Sequence, residues 1–292
     1  MKLPAFALIF AAILAAPWVT PEASAQSLPG TTDHYFITSD NVRLHYDEAG
    51  PKSAPTIIFV PGWTIPAWIF APQIRAFSAH YHVIAFDPRA QGASQIAPGG
   101  YNQDRRGQDI GDLITHLGIS KVTIIGWSLG VLDTLAYIHN SGDSHIAALV
   151  LVDNSVGDNP PPAPLGQHHH YPTEHAAFMR AFIPGMFQTH QSPAYLNRLI
   201  NACLRVPADD ARLLLAYPVP RTYWREALFS TSVPVLYIVR PHLTGQAQNL
   251  AIDRPNSQTA LFPKAGHALF VDEPAKFNAL VMNFIKTKVL SR

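Results

Sequence analysis

Thr123-Ile124-Ile125-Gly126-Trp127-Ser128-Leu129-Gly130 is an apolar run that breaks at a Gly-x-Ser-x-Gly and resumes as Val131-Leu132-Asp133-Thr134-Leu135-Ala136-Tyr137. The pattern predicts a buried strand, a very tight turn and a helix. A serine at the apex of such a turn takes a strained backbone conformation, and the residues two positions to either side must lack a Cβ for the turn to close. Gly126 and Gly130 meet that requirement. The five-residue match arises by chance in on the order of 5% of chains this long, so its surroundings must carry the reading.

Upstream, His34–Thr38 and Val42–Tyr46 alternate around Ser39-Asp40-Asn41, which predicts an opening antiparallel hairpin. Thr56–Val60 and His82–Phe86 are continuous apolar runs, the mark of strands buried on both faces. Between them, from Ala67 to His80, apolar residues recur at helical spacing. The unit repeats through a helix ending near Leu117, the strand Lys121–Ile125, the helix after Ser128 and the strand Ala147–Val152. Downstream, from Asp153 to Thr231, a proline-rich stretch and short amphipathic pieces (His175–Phe182, Ala194–Leu204, Ala208–Leu215) predict an inserted helical cap. Alternation then returns with Val233–Val239, a helix around Leu243–Ala251, the strand Thr259–Phe262 and a closing helix Pro274–Lys286. The expected fold is α/β: a doubly wound, mostly parallel eight-stranded sheet flanked by helices, with a small helical cap at about 154–230 after the sixth strand.

Composition narrows the partner. The 292-residue chain has 21 lysines and arginines against 20 acids, for a formal net charge of +1, and the cations never cluster. That leaves no electrostatic footprint for nucleic acid or an anionic membrane, so a small molecule is expected. Lys2, the apolar run Ala5–Val19 and Pro21-Glu22-Ala23-Ser24-Ala25-Gln26 read as a secretory signal cleaved after Ala25, shorter than the ~20 residues of a membrane span. The expected product is an exported chain, periplasmic or secreted, with its domain at 26–292 and no membrane association after cleavage. Cys203, the single cysteine, has no disulfide partner and reads as a small buried hydrophobe.

In a doubly wound sheet the functional groups gather at the carboxyl ends of the parallel strands. Pro61-Gly62-Trp63, Asp87, Ser128 and Asp153 stand at such ends, and Ala265-Gly266-His267-Ala268 follows the last strand. A histidine in a late loop is what a nucleophilic serine needs as its base.

With these residues in this order the chain resembles the α/β-hydrolase superfamily over essentially the whole mature sequence. The segment Gly126-Trp127-Ser128-Leu129-Gly130 is most similar to the elbows of small carboxylesterases, and Asp87-Pro88-Arg89-Ala90-Gln91-Gly92 resembles the family's Asp-x-Arg-Gly-x-Gly turn. The resemblance implies Ser128 as nucleophile, His267 as base, and the backbone N–H groups of Trp63 and Leu129 as oxyanion donors. Family members usually carry His-Gly where Pro61-Gly62 stands. Most also place an aspartate just past the seventh strand, whereas here Val233–Val239 runs into Arg240-Pro241-His242-Leu243. Asp153 is the expected acid. Asp253 and Asp87 are the alternatives, and Asp153 also has a structural reading as a tie to the cap.

The expected activity is cleavage of small carboxylic esters through an acyl-enzyme, with no metal and no cofactor. Carbon–carbon hydrolysis and cofactor-free perhydrolysis or haloperoxidation are neighbouring readings, and a non-catalytic binding protein is the rival from another class. Trp127, Tyr217 and Trp224 are candidates for the substrate pocket. Arg221 and Tyr223 are weighed beside them as anion clamp or cap packing. His168-His169-His170 with His175 reads as a solvated cap loop, and Asp133 as a carboxylate near a helix start, with a link to the cap as its alternative.

Overall fold

The apolar runs become the centre of one sheet in the computed structural model, which describes residues 28–162 and 174–291. The predicted signal segment and His168-His169-His170 lie outside the described residues. In chain order the elements are β1 (Thr32–Ile37), β2 (Arg43–Ala49), β3 (Thr56–Val60), α1 (Ala71–Phe77), β4 (His82–Asp87), α2 (Gln103–Leu117), β5 (Val122–Trp127), α3 (Leu129–Ser141) and β6 (Ile146–Val152). Four helices follow: α4 (His175–Gly185), α5 (Pro193–Leu204), α6 (Ala208–Leu213) and α7 (Arg221–Ser230). The chain then returns to the sheet with β7 (Val235–Val239), α8 (Thr244–Asp253), β8 (Ser257–Leu261), α9 (Leu269–Asp272) and α10 (Pro274–Lys288).

The eight strands lie in the order β1-β2-β4-β3-β5-β6-β7-β8. β1, β2 and β4 pair antiparallel, and every pairing from β4 onward is parallel. Every residue of β3, β5 and β7 is buried, because helices cover both faces of a parallel sheet. Each fully buried Ile, Leu or Val there contributes roughly 1.5–3 kcal/mol, which makes the carboxyl edge a firm base for the loops it carries. The edge strand β8 shows the opposite pattern, with Leu261 left exposed.

Besides the short helix α9, which the sequence did not predict, two elements depart from expectation. The helix predicted from Ala67 begins as a 3₁₀ turn, Ala67–Phe70, and becomes α-helical only at Ala71. Pro72 explains the delay: without an N–H, and with a ring that would meet the carbonyl four residues back, it fits the first turn of an α-helix and not its interior. The helix α7 was not expected. It opens behind Pro220 with no side-chain cap, so the sequence carries little start signal.

Candidate active site

The strand β5 ends at Trp127, the helix α3 begins at Leu129, and Ser128 between them has φ 54° and ψ −121°. A positive φ at a serine is strained, and the surrounding packing holds it. A Cβ on Gly126 would lie 2.5 Å from the carbonyl oxygen of Gly130, and one on Gly130 would lie 2.3 Å from that of Val60. Both glycines are therefore required, as the sequence pattern implied. The turn is further pinned by Ser128 N donating to Val152 O (2.9 Å) and by Asn154 Nδ2 donating to Ser128 O (2.8 Å).

The structure brings Ser128, His267 and Asp153 into one chain of hydrogen bonds. His267 Nδ1 lies 2.6 Å from Asp153 Oδ2, and its Nε2 lies 2.9 Å from Ser128 Oγ. A carboxylate only accepts, so Nδ1 carries the proton and Nε2 is free to accept from the serine hydroxyl. Burial alone would raise Asp153, but its bonds and charge contacts with His267 and Arg240 outweigh it and hold the carboxyl below the ordinary value of 3.8.

The alternative acids lie elsewhere. Asp253 ends α8 half-exposed, 3.4 Å from Arg225. Asp87 accepts from Ala67 N, Ala93 N and His45 Nδ1 at 2.7, 2.9 and 2.7 Å, so its two oxygens are committed to the turn after β4.

The segments that carry the two expected oxyanion donors lie against Ser128. Leu129 is the first residue of α3, where a backbone N–H has no carbonyl within its own helix. Gly62 lies against Ser128 so closely that a Cβ there would sit 2.9 Å from Ser128 Cβ, and Trp63 is next in the chain. Gln91 ties this loop down, donating from Nε2 to Gly62 O (3.0 Å) and Ile65 O (2.7 Å) and accepting from Thr64 N (3.2 Å). Trp63 itself reaches into the cap, with Nε1 donating to Ala211 O (2.7 Å) and its ring edge-on to Phe178 and Phe182.

Several pocket expectations need correction. Trp127 is 1% exposed and is no pocket wall: Nε1 donates to His267 O (2.8 Å), and the ring packs edge-on against Phe70 and Phe270. Its place at the end of a central strand turns it inward, beneath the histidine loop. Trp224 is also buried, edge-on to Tyr223 and Tyr217, on a helix packed against α3. Tyr217 sits within reach of the Arg106 and Asp133 charges, and burial raises its phenol. Asp133 lies beyond the first turn of α3 and answers to a side chain, not to the helix dipole: Arg106 Nε donates to it at 2.7 Å. The same guanidinium donates to Leu214 O in the cap (3.3 Å), so the link to the cap is real and runs through Arg106. Arg221 donates to the carbonyls of Gly157 and Asp158, and Cys203 is fully buried, its thiol pushed up to about 12 by burial.

Sequence reasoning missed four supporting residues. Gln91 and Asn154 are described above. Asp272 accepts from Gly266 N (2.7 Å) and, with its two oxygens, from Gln188 N and Thr189 N (2.9 Å each), tying the His267 loop to the cap. The fourth is Arg240, which donates to Asp153 from its backbone N (3.1 Å) and from Nε (2.6 Å). Its signal was visible as the basic residue standing where the family's aspartate was absent.

Comparison with known proteins agrees with this architecture. A profile described as the alpha/beta hydrolase family matches residues 57–280. The chain is 28% identical over 119 residues to a bifunctional esterase/perhydrolase of Acinetobacter calcoaceticus, covering 40% of this chain and 43% of that protein. It is 32% identical over 121 residues to a non-heme chloroperoxidase of Burkholderia pyrrocinia, covering 40% and 44%. These matches thus span less than half the length of either relative. An esterase from Exiguobacterium antarcticum has the same fold at a TM-score of 0.74, with 19% identity over 87% of this chain and 99% of that one.

Proposed function

The chain belongs to the alpha/beta hydrolase family, and on that premise we propose that it is a serine hydrolase cleaving carboxylic esters of small molecules through an acyl-enzyme. The observation that carries this reading is the spacing of Ser128 Oγ, His267 and Asp153, at 2.9 and 2.6 Å, on a strained elbow. In the proposed reaction His267 Nε2 takes the Ser128 proton as Oγ attacks the ester carbonyl. The N–H groups of Leu129 and Trp63 receive the developing oxyanion, each such donor being worth ~3 kcal/mol in the transition state. The imidazolium, stabilised by Asp153, protonates the leaving alcohol, and the ester C–O bond breaks. Water, deprotonated by the same imidazole, then attacks the acyl carbon and releases the acid and Ser128.

Replacing water by hydrogen peroxide in the second half releases a peracid. The activity named for the Acinetobacter relative favours keeping this second reading, and a peracid assay with added peroxide separates the two. Export, with cleavage after Ala25, is also proposed, and N-terminal sequencing of the mature protein tests it. The decisive experiment is Ser128→Ala assayed on short p-nitrophenyl esters. Turnover is expected to fall about 10⁶-fold, leaving only the residual acceleration of the oxyanion hole. Wild-type turnover in the variant would overturn the proposal, and failure of a fluorophosphonate to label Ser128 would favour a binding protein on this scaffold.

A further inference from the structure

We infer that Arg240 is a positioning residue for Asp153 and His267, fixing the carboxylate and setting a permanent cation beside the histidine. The inference rests on the serine-hydrolase reading above. Three N–H donors converge on Asp153, and Arg240 supplies two of them. Its backbone N–H takes Oδ1 and its Nε–H takes Oδ2, so one residue grips both oxygens and leaves the carboxylate a single orientation toward the imidazole. Asp153 itself has φ 53°, a backbone conformation that needs such support.

The electrostatic consequence follows from sharing. Oδ2 serves Arg240 Nε and His267 Nδ1 at the same distance of 2.6 Å, so the negative charge behind the histidine is already half answered by a permanent cation. Arg240 Nη2 also lies 3.4 Å from His267 Nδ1. Because Nδ1 carries the proton donated to Asp153, this approach sets donor against donor and disfavours a second proton on the ring. The other titratable groups near His267 are His242, from the 3₁₀ turn after β7, and Asp272, from α9 through Gly266 N; Ser128 approaches from the elbow. None of them puts another permanent cation on the Asp153 side. Arg240 thus sets a permanent cation against the proton that the ring gains during transfer, while fixing the carboxylate that orients it.

The test is the rate of fluorophosphonate labelling of Ser128 against pH in wild type, Arg240→Met and Arg240→Lys. The acid-limb midpoint is expected to move up by about one pH unit in the Met variant, the size of effect a charge contact at this range produces. Arg240→Lys, which keeps the charge but not the fork, is expected to restore most of the shift. An unmoved midpoint in Arg240→Met overturns the inference, as does an equal loss of rate at every pH in both variants, which is the signature of a merely structural role. If Arg240→Met does not fold, Arg240→Gln carries the same expectation, since its amide keeps a donor near Asp153 without the charge. Absence of any adduct in wild type marks failure of the serine-hydrolase reading itself, whereas an adduct with an unmoved limb marks failure of the Arg240 inference alone.

Discussion

Two aspartate–histidine pairs sit at the same edge of the sheet, and they differ in what the far ring nitrogen meets. In the first, His45 on β2 faces Asp87 at the end of β4, with Nδ1 2.7 Å from Oδ2. In the second, His267 faces Asp153 at 2.6 Å. The difference lies at the other ring nitrogen. His45 Nε2 is 2.5 Å from Asp33 Oδ1, a charge contact off the line of the N–H, and the ring is 3% exposed. Burial alone would lower His45, but the bond to Asp87 and the charges of Asp87, Asp47 and Asp33 outweigh it and raise it. A histidine held between two carboxylates has both ring nitrogens turned to protein groups and presents neither to a substrate. His267 presents Nε2 to a hydroxyl, and its side chain is 21% exposed. An Asp–His contact therefore says little by itself, and the group on the far nitrogen decides whether the pair is a base or a brace.

The largest expected effect separates the two acids. Asp153→Asn should lower kcat about 10⁴-fold, because the amide no longer selects the working tautomer, while the protein stays folded. Asp87→Asn should leave turnover largely intact and instead cost about 1–3 kcal/mol of stability, since the amide cannot accept all three bonds from His45, Ala67 N and Ala93 N and leaves a buried donor unpaired. Urea titrations beside single-turnover acylation measure both, with Asp253→Asn as the silent control. If Asp87→Asn abolished acylation and Asp153→Asn did not, the roles assigned to the two pairs would have to be exchanged.

The contrast also explains what was legible beforehand. The elbow announced itself because its requirements are local: Gly126, Ser128 and Gly130 lie within five residues and interrupt an apolar run. The central strands were legible for the same reason, as unbroken runs bounded by turns. The supporting residues were not, because their partners are far along the chain. Gln91 holds a carbonyl 29 residues upstream, Asp272 holds a backbone N–H 84 residues upstream, and Arg240 holds Asp153 across 87 residues. Such contacts leave no periodicity to detect. Trp127 misled for a related reason, since a large aromatic beside a nucleophile suggests a pocket wall until the strand's direction shows which way it points.

A second prediction uses pH to pull the pairs apart. Asp47, beside His45, is pushed up to about 6 by burial and by the charges of Asp87 and Asp33, against the opposing influence of His45 and a bond from Thr31. A carboxyl raised in the folded state binds its proton more tightly there than in the unfolded chain. Its contribution therefore falls as pH rises from 3.8 to about 6 and stays unfavourable above that. Asp153, lowered in the folded state, has the opposite sign: its contribution is present at neutral pH and is lost as pH falls through its folded value. Asp47→Asn should accordingly stabilise the protein at neutral pH by about 2 kcal/mol, which is roughly 3 kcal/mol for two pKa units less the bond with Thr31. The gain should vanish below about pH 4. Urea midpoints of the two proteins at both pH values check this, and a gain that persisted unchanged in acid would contradict the assignment of the His45 cluster.

The smallest effect probes how each histidine is held. His45 belongs to β2, paired on both sides, and its N–H donates to Ser94 Oγ at 2.8 Å, so the sheet itself fixes the ring. His267 sits in a loop and depends on tethers: Gly266 N to Asp272, and Trp127 Nε1 to the His267 carbonyl at 2.8 Å. Trp127→Phe keeps an aromatic ring for Phe70 and Phe270 to pack against and removes only that donor. A hydrogen bond of this kind is worth about 1 kcal/mol net, so kcat should fall about fivefold with KM nearly unchanged. Stability should fall by a similar 1 kcal/mol. An unchanged kcat with reduced stability would show that Asp272 alone sets the imidazole. A loss in kcat much larger than the loss in stability would show that the loop, unlike the strand beneath His45, has no second means of placing Nε2 against Ser128.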